Sequence, residues 1–169
     1  MSNNSETKLV MLIDWQNINT YCYLNEVKVN LDSIIEQART WGDLRHSIAF
    51  SGFEDKNGGM VRRLHSKSIE PRFTLTKQIK PKNGSRPRIR NAADIHLAVA
   101  AMSISHSSPG VSGFVIVSGD GGFLPLIREL KLLGNRVYVI SPSPKSTQKA
   151  LYQEVDGLAY YSEFGSEEE

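Results

Sequence analysis

A chain of 169 residues is long enough to bury one hydrophobic core without staples, and one domain over residues 1–169 is expected, with 1–7 and 165–169 frayed. Its 40% hydrophobic and 22% charged residues are those of a soluble globular protein; Cys22 is the only cysteine, which excludes a disulfide framework and a thiolate metal cluster. No apolar run approaches the roughly 18 residues of a membrane span and no signal-peptide pattern opens the chain, so no membrane association and a cytoplasmic location are expected.

The net charge of +2 conceals an uneven distribution. Glu163, Glu167, Glu168 and Glu169 close the chain, and setting those four negative charges aside leaves +6. Residues 62 to 90 carry ten lysines and arginines against Glu70 alone. Such a stretch suits a polyanionic partner.

In chain order, Leu9 to Ile13 is an unbroken apolar run, predicted as a strand buried on both faces of a parallel sheet. Asn17 to Leu24 and Leu31 to Trp41 follow as helices, the second with Leu31, Ile34, Ile35, Ala38 and Trp41 at helical spacing. A second strand is predicted at Arg45–Phe50, a short helix at Met60–Ser66 and an alternating third strand at Arg72–Thr76, giving a β-α-β-α-β opening. Residues 77 to 90 combine Pro81, Gly84 and Pro87 with six basic residues and are predicted as a long functional loop. A helix from Asn91, its N-cap, to Met102 comes next, then a fourth strand at Gly113–Ser118, a helix at Phe123–Leu133 stopped by Gly134, and a fifth strand at Arg136–Ile140. Residues 146 to 161 read as a last helix, alone or followed by a short strand.

Two of these strands end on an aspartate, Asp14 and Asp120. The carboxyl ends of strands in an open parallel sheet face one crevice where ligands bind, so the two carboxylates are expected to converge. Asp94 opens a helix whose Asp94, Leu97, Ala98 and Ala101 share one face. Carboxylate oxygens are the ligands of Mg²⁺ or Mn²⁺, which keep several waters and bind substrate phosphate through their remaining positions. Asn17 and Ser118 stand beside Asp14 and Asp120, placed to orient a water or a phosphate. Each aspartate also has a plainer use, as a turn residue or a partner of the helix dipole.

Competing motifs fail on spelling. In Gly119-Asp-Gly121-Gly-Phe-Leu124, Leu124 stands where a dinucleotide fingerprint needs its third glycine. Val111-Ser-Gly-Phe114 lacks the last glycine of a nucleophile elbow. No Gly-Lys-Ser/Thr phosphate loop is present, and Gln16 occupies the position where an aspartyl-phosphate phosphatase carries its second carboxylate.

Ile13-Asp14-Trp-Gln-Asn17, Ala93-Asp94-Ile-His-Leu-Ala98, Val117-Ser-Gly-Asp120-Gly-Gly-Phe123-Leu-Pro125-Leu and Leu133-Gly134-Asn-Arg-Val137 together resemble the NYN domain, in the LabA-like branch of the PIN-like nuclease superfamily. The resemblance covers nearly the whole chain in the correct order. It implies a three-layer α/β/α sandwich around a mainly parallel five-stranded sheet in the order 3-2-1-4-5, with an acidic crevice that binds Mg²⁺ or Mn²⁺ for RNA cleavage. Asp14, Asp94 and Asp120 match the family's acidic positions, and Asn17 and Ser118 its polar ones. Two positions depart from the pattern: Gly122 stands where the family commonly has a further carboxylate, and Ala100 where its helix often has another aspartate.

The basic stretch supplies Lys80, Lys82, Arg86, Arg88 and Arg90 just ahead of Asp94, and each lysine or arginine contact with phosphate adds salt-dependent affinity. A cationic loop beside an acidic crevice suits single-stranded RNA. Trp15 is placed either to stack on a base or to cover the first helix. Trp41, Phe50, Phe114 and Phe123 read as core residues, Cys22 as a small buried one, and the four histidines show no ligand spacing. The expected function is therefore a metal-dependent ribonuclease, a hydrolase acting through Asp14, Asp94 and Asp120. Two alternatives accompany it: an RNA-binding or regulatory module with weakened or no turnover, and a metal-dependent phosphatase of a small ligand.

Overall fold

The first strand, β1 (Lys8–Asp14), is fully buried from Leu9 to Ile13, as an unbroken apolar run requires. A computed structural model describes residues 6–52, 58–74, 76–79, 82–84 and 88–165, with the backbone alone at 76–79, 88–91 and 152. After β1 come α1 (Trp15–Leu24), α2 (Leu31–Arg39), β2 (Asp43–Ser51), α3 (Gly58–Ser66) and β3 (Glu70–Phe73). Then follow β4 (Thr76–Ile79), β5 (Arg88–Asn91), α4 (Ala93–Ser107) and β6 (Gly113–Val117). A 3-10 turn at Gly121–Phe123 leads into α5 (Leu124–Leu132), and β7 (Arg136–Ser141), α6 (Leu151–Glu154), β8 (Gly157–Tyr160) and α7 (Tyr161–Phe164) complete the fold.

Six strands form one sheet in the order β3-β2-β1-β6-β7-β8, and every neighbouring pair is parallel. The five expected strands hold their expected order; β8 is an addition at one edge. With α6 before it, β8 is the short strand allowed after the last helix over residues 146 to 161, and its partial burial without apolar alternation gives no sign that it joins the sheet. Period-two alternation splits the core in two. Leu9, Met11 and Ile13 pack with Ile18, Ile34, Leu64 and Tyr161 on one face, while Val10 and Leu12 pack with Leu97, Ile127 and Leu151 on the other. Helices α1, α2, α3 and α7 thus cover one face of the sheet and α4, α5 and α6 the other. This is the three-layer α/β/α arrangement. Tyr138 of β7 stacks on Trp41, just past α2, at 4.9 Å.

Several boundaries differ from expectation. Residues 77 to 90 are not one irregular loop, because β4 and β5 pair as an antiparallel two-stranded ribbon from Thr76↔Asn91 to Ile79↔Arg88. Pro81, Gly84 and Pro87 all fall between the two strands, so the paired backbone keeps its donors. Asn91 ends β5 and does not cap α4; Ala92 holds the cap position without a side-chain bond. The third strand lies at Glu70–Phe73, earlier than predicted. Thr7 and Gly165, both expected in frayed ends, are hydrogen-bonded: the Thr7 carbonyl accepts from Asp43 N–H at 2.8 Å and Gly165 N–H donates to the Tyr161 carbonyl at 2.7 Å. Gly134 adopts φ +86° after α5, the left-handed stop that favours glycine. No helix among the described residues is long and apolar enough to cross a membrane.

Candidate active site

β1 and β6 are neighbours in the sheet, with Ile13 opposite Val117, and they mark the point where the strand order reverses direction. Loops leaving adjacent strands on opposite sides of such a switch point open a crevice at the carboxyl edge. Asp14, the last residue of β1, and Ser118, the first after β6, therefore meet. Ser118 Oγ–H donates to Asp14 Oδ2 at 3.3 Å and Ser118 Oγ accepts from Asp120 N–H at 3.2 Å. One hydroxyl links both strand-ending aspartates.

Asp14 is held from its other side by α1, whose Asn17 N–H donates to Asp14 Oδ1 at 3.3 Å in an N-cap. Asn17 in turn accepts from Gly119 N–H through Oδ1 at 3.0 Å, which leaves its amide Nδ2 to donate. Asp120 caps the following 3-10 turn, accepting from Gly122 N–H at 2.8 Å. Asp94, exposed in the first turn of α4, accepts from Ile95 N–H at 2.9 Å. Asp14 and Asp120 thus act as caps and Asp94 as an acid in the first turn of α4, each accepting a backbone N–H through Oδ1. Oδ2 of Asp94 and of Asp120 has no protein hydrogen bond among the described residues.

Burial raises the pKa of Asp14 above its ordinary value, opposed by the hydrogen bonds from Asn17 and Ser118 and reinforced by the negative charges of Asp120 and Asp94. Among the described residues, no lysine or arginine pairs with any of the three. The donor set is all oxygen, and the uncompensated repulsion at Asp14 is what a hard cation would relieve. Among the described residues, no three His, Cys, Asp or Glu side chains are grouped closely enough to hold a metal ion by themselves.

The carboxyl edge carries a hollow on each side. Along α1, one of about 400 Å³ is lined by Asp14, Asn17, Thr20, Tyr21, Leu24 and Ser146 among others. Between α4 and α5, one of about 320 Å³ is lined by Asp94, Asp120, Phe123, Pro125 and Glu129 among others. Gly119 lets the two loops meet: a Cβ there would lie 2.6 Å from Ser141 Oγ and 2.6 Å from the Ser146 carbonyl oxygen.

Other expected site residues stand as follows. Trp15 is 5% exposed within the core beneath α1, so it covers the helix and offers no face to a base. Ser118 is 1% exposed with its hydroxyl engaged at both strand ends, so it positions Asp14 and the Asp120 turn and does not reach a phosphate. Lys82 is exposed in the connection between β4 and β5. Arg88 and Arg90 sit in β5, which ends three residues before Asp94. Lys80 and Arg86 lie outside the described residues. Ala100 is 8% exposed and packs in the core beneath α4. Glu129, Tyr21, Pro142 and Ser146 were not singled out from sequence. Glu129 has a faint signal there, one turn past Pro125 and Leu126 on a helix that starts at the Asp120 turn; the others have none.

The NYN domain family profile matches residues 8–162. No curated protein sequence matches the chain. Among solved structures, the chain is similar to VPA0982, a protein of unknown function from Vibrio parahaemolyticus, with 20% identity and a TM-score of 0.75 over 95% of this chain and 96% of that one. At that identity the likeness shows the fold. A weaker similarity, to MurG of Acinetobacter baumannii, has 14% identity and a TM-score of 0.44 over 90% of this chain and 40% of that one.

Proposed function

The chain belongs to the NYN domain family, a PIN-like nuclease family, and on that premise we propose that it is a Mg²⁺- or Mn²⁺-dependent ribonuclease that hydrolyses single-stranded RNA at the crevice between β1 and β6. The run Ser118-Gly-Asp120-Gly-Gly-Phe123-Leu-Pro125 supports a reading within the LabA-like branch, and its one buried thiol suits the reducing cytoplasm. The observation that carries the reading is Asp14, a carboxylate burdened by burial and by two like-charged neighbours at a switch point.

Asp14, Asp94 and Asp120 would hold the ion, with waters completing its shell. Bound there, it supplies Lewis acidity toward a phosphoryl oxygen and lowers the pKa of a bound water. Ser118 fixes the rotamer of Asp14 and the path of the Asp120 turn. Asn17 Nδ2 is the donor available to a substrate oxygen at the same strand ends. Lys80, Lys82, Arg86, Arg88 and Arg90 supply positive charge to the phosphodiester chain as it approaches Asp94.

Incubating the purified protein with single-stranded RNA in Mn²⁺ or Mg²⁺ tests the proposal. Cleavage that EDTA stops and Asp120→Asn abolishes is expected; equal cleavage by wild type and Asp120→Asn sinks it. Gly122 favours a second reading, an RNA-binding module without turnover. Its backbone N–H caps Asp120, but the position offers no second carboxylate beside it. That reading predicts salt-sensitive RNA binding, weakened by alanine at Arg86, Arg88 and Arg90, with no cleavage in either metal.

A further inference from the structure

Resting on the ribonuclease reading, we propose that the hollow along α1 seats one nucleobase of the single-stranded RNA, next to the phosphodiester that lies at the carboxylates. Asn17, Thr20, Tyr21 and Leu24 are spaced i, i+3, i+4 and i+7 and form one face of α1, about 10 Å long. Pro142 and Ser146, beyond the end of β7, make the opposite wall. A volume of about 400 Å³ lies within the roughly 300–1,000 Å³ of small-ligand sites.

The wall chemistry selects the occupant. Tyr21, Leu24 and Pro142 give apolar surface, while Thr20 and Ser146 give hydroxyls and Asn17 an amide. Among the described residues no lysine or arginine lines the hollow, so none of them offers a phosphate a counter-charge there. A neutral heterocycle with apolar faces and a hydrogen-bonding edge matches both kinds of wall. Asp14 closes one end, which keeps a base seated there in line with the carboxylates. Leu24 is 73% exposed, an apolar surface that gains burial only when the hollow fills. Tyr21 is held edge-on by Tyr161 at 6.4 Å and 85°, so its ring is fixed before a ligand arrives.

The test uses a single-stranded RNA hexamer with 2-aminopurine, or an abasic site, placed at each position in turn. Binding to the full chain is measured in EDTA. At one position the fluorescence should change on binding, and the abasic oligomer should bind roughly 5- to 100-fold more weakly. Leu24→Ser and Tyr21→Ala should remove that base dependence while leaving affinity for the abasic oligomer unchanged. Leu24 is exposed, so its variant keeps the fold even if the Tyr21 variant does not. The proposal is overturned if no abasic position weakens binding more than twofold, or if the penalty persists in Leu24→Ser. Metal-free binding separates this result from the ribonuclease reading. Base-dependent binding without cleavage in Mn²⁺ keeps the base site and removes the nuclease; cleavage without base dependence does the reverse.

Discussion

The two hollows flank the same strand ends but carry different chemistry. The one between α4 and α5 brings Asp94, Asp120 and Glu129 to its lining, three carboxylates around largely apolar walls. The one along α1 has a single carboxylate, Asp14, at one end and neutral polar groups elsewhere. The sheet separates the two helix layers, and only its carboxyl edge lets them communicate, through Ser118 and the Asn17–Gly119 bond. The contrast teaches a division of labour. Charge concentrates where a cation would be needed, and apolar surface with neutral donors where a base would be recognised. Neither layer could do both without placing a recognition surface inside a strong negative field.

The largest expected break in this contrast is Asp120→Asn, which should lower cleavage by roughly 10²–10³, the cost of losing one preorganised electrostatic contact. Metal-free binding of RNA should hold or tighten in the same variant, because a negative charge has left the crevice. Rate and binding measured side by side check this, and a parallel loss of both would erase the division.

Gly119→Ala should damage both hollows together. Its Cβ meets Ser141 Oγ and the Ser146 carbonyl, each at 2.6 Å, and the Pro142 Cδ at 3.3 Å. Overpacking of this kind costs about 1–3 kcal/mol, to be read from chemical denaturation. Wild-type stability in this variant would mean that the two loops are not pressed together.

Gly122→Asp sharpens the contrast by adding charge to one side alone. Its Cβ would stand 3.2 Å from Asp120 Oδ1, and Asp120 is exposed and able to shift. Affinity for Mn²⁺ should rise by roughly tenfold as ligand charge increases, in a calorimetric titration, while metal-free RNA binding holds or weakens as a negative charge enters the crevice.

The smallest effect is on stability. Burial keeps the folded-state pKa of Asp14 above its ordinary 3.8, so the folded protein holds that proton more tightly than the unfolded chain. This group's contribution to stability therefore falls as pH rises from 3.8 through the raised value, and stays low at neutrality. Asp14→Asn should melt above wild type at pH 7, with the difference closing below 3.8. Added Mn²⁺ should raise the melting temperature of wild type and not of the variant.

The sheet order was legible through the family resemblance, and the meeting of Asp14 with the Asp120 turn through two apolar runs that stop at or near an aspartate. Unbroken apolar runs ending on Asp14 and near Asp120 mark buried parallel strands, and the motif run carries their order. The β4–β5 ribbon was hidden because its ladder is made of backbone, while its side chains are the basic and polar ones of a loop. A short strand was expected after the last helix, but the shortness and partial burial of β8 gave no sign that it joins the sheet. Trp15 was ambiguous because position next to Asp14 says nothing of the side to which an indole turns; packing under α1 decided it. The wall made by Pro142 and Ser146 joins residues more than 100 positions from α1, a proximity that no local pattern encodes.

The Tyr161 hydroxyl accepts from Asn30 N–H at 2.7 Å across 131 residues, and its ring holds Tyr21 beside the α1 hollow. During synthesis the strands β1 and β2 can pair early, yet Tyr21 has no ring to rest on until residue 161 has left the ribosome. At the 5–20 residues per second typical of translation, that delay lasts about 7–28 seconds. For that interval a nascent chain has Asp14 but not the ring that holds Tyr21 beside it.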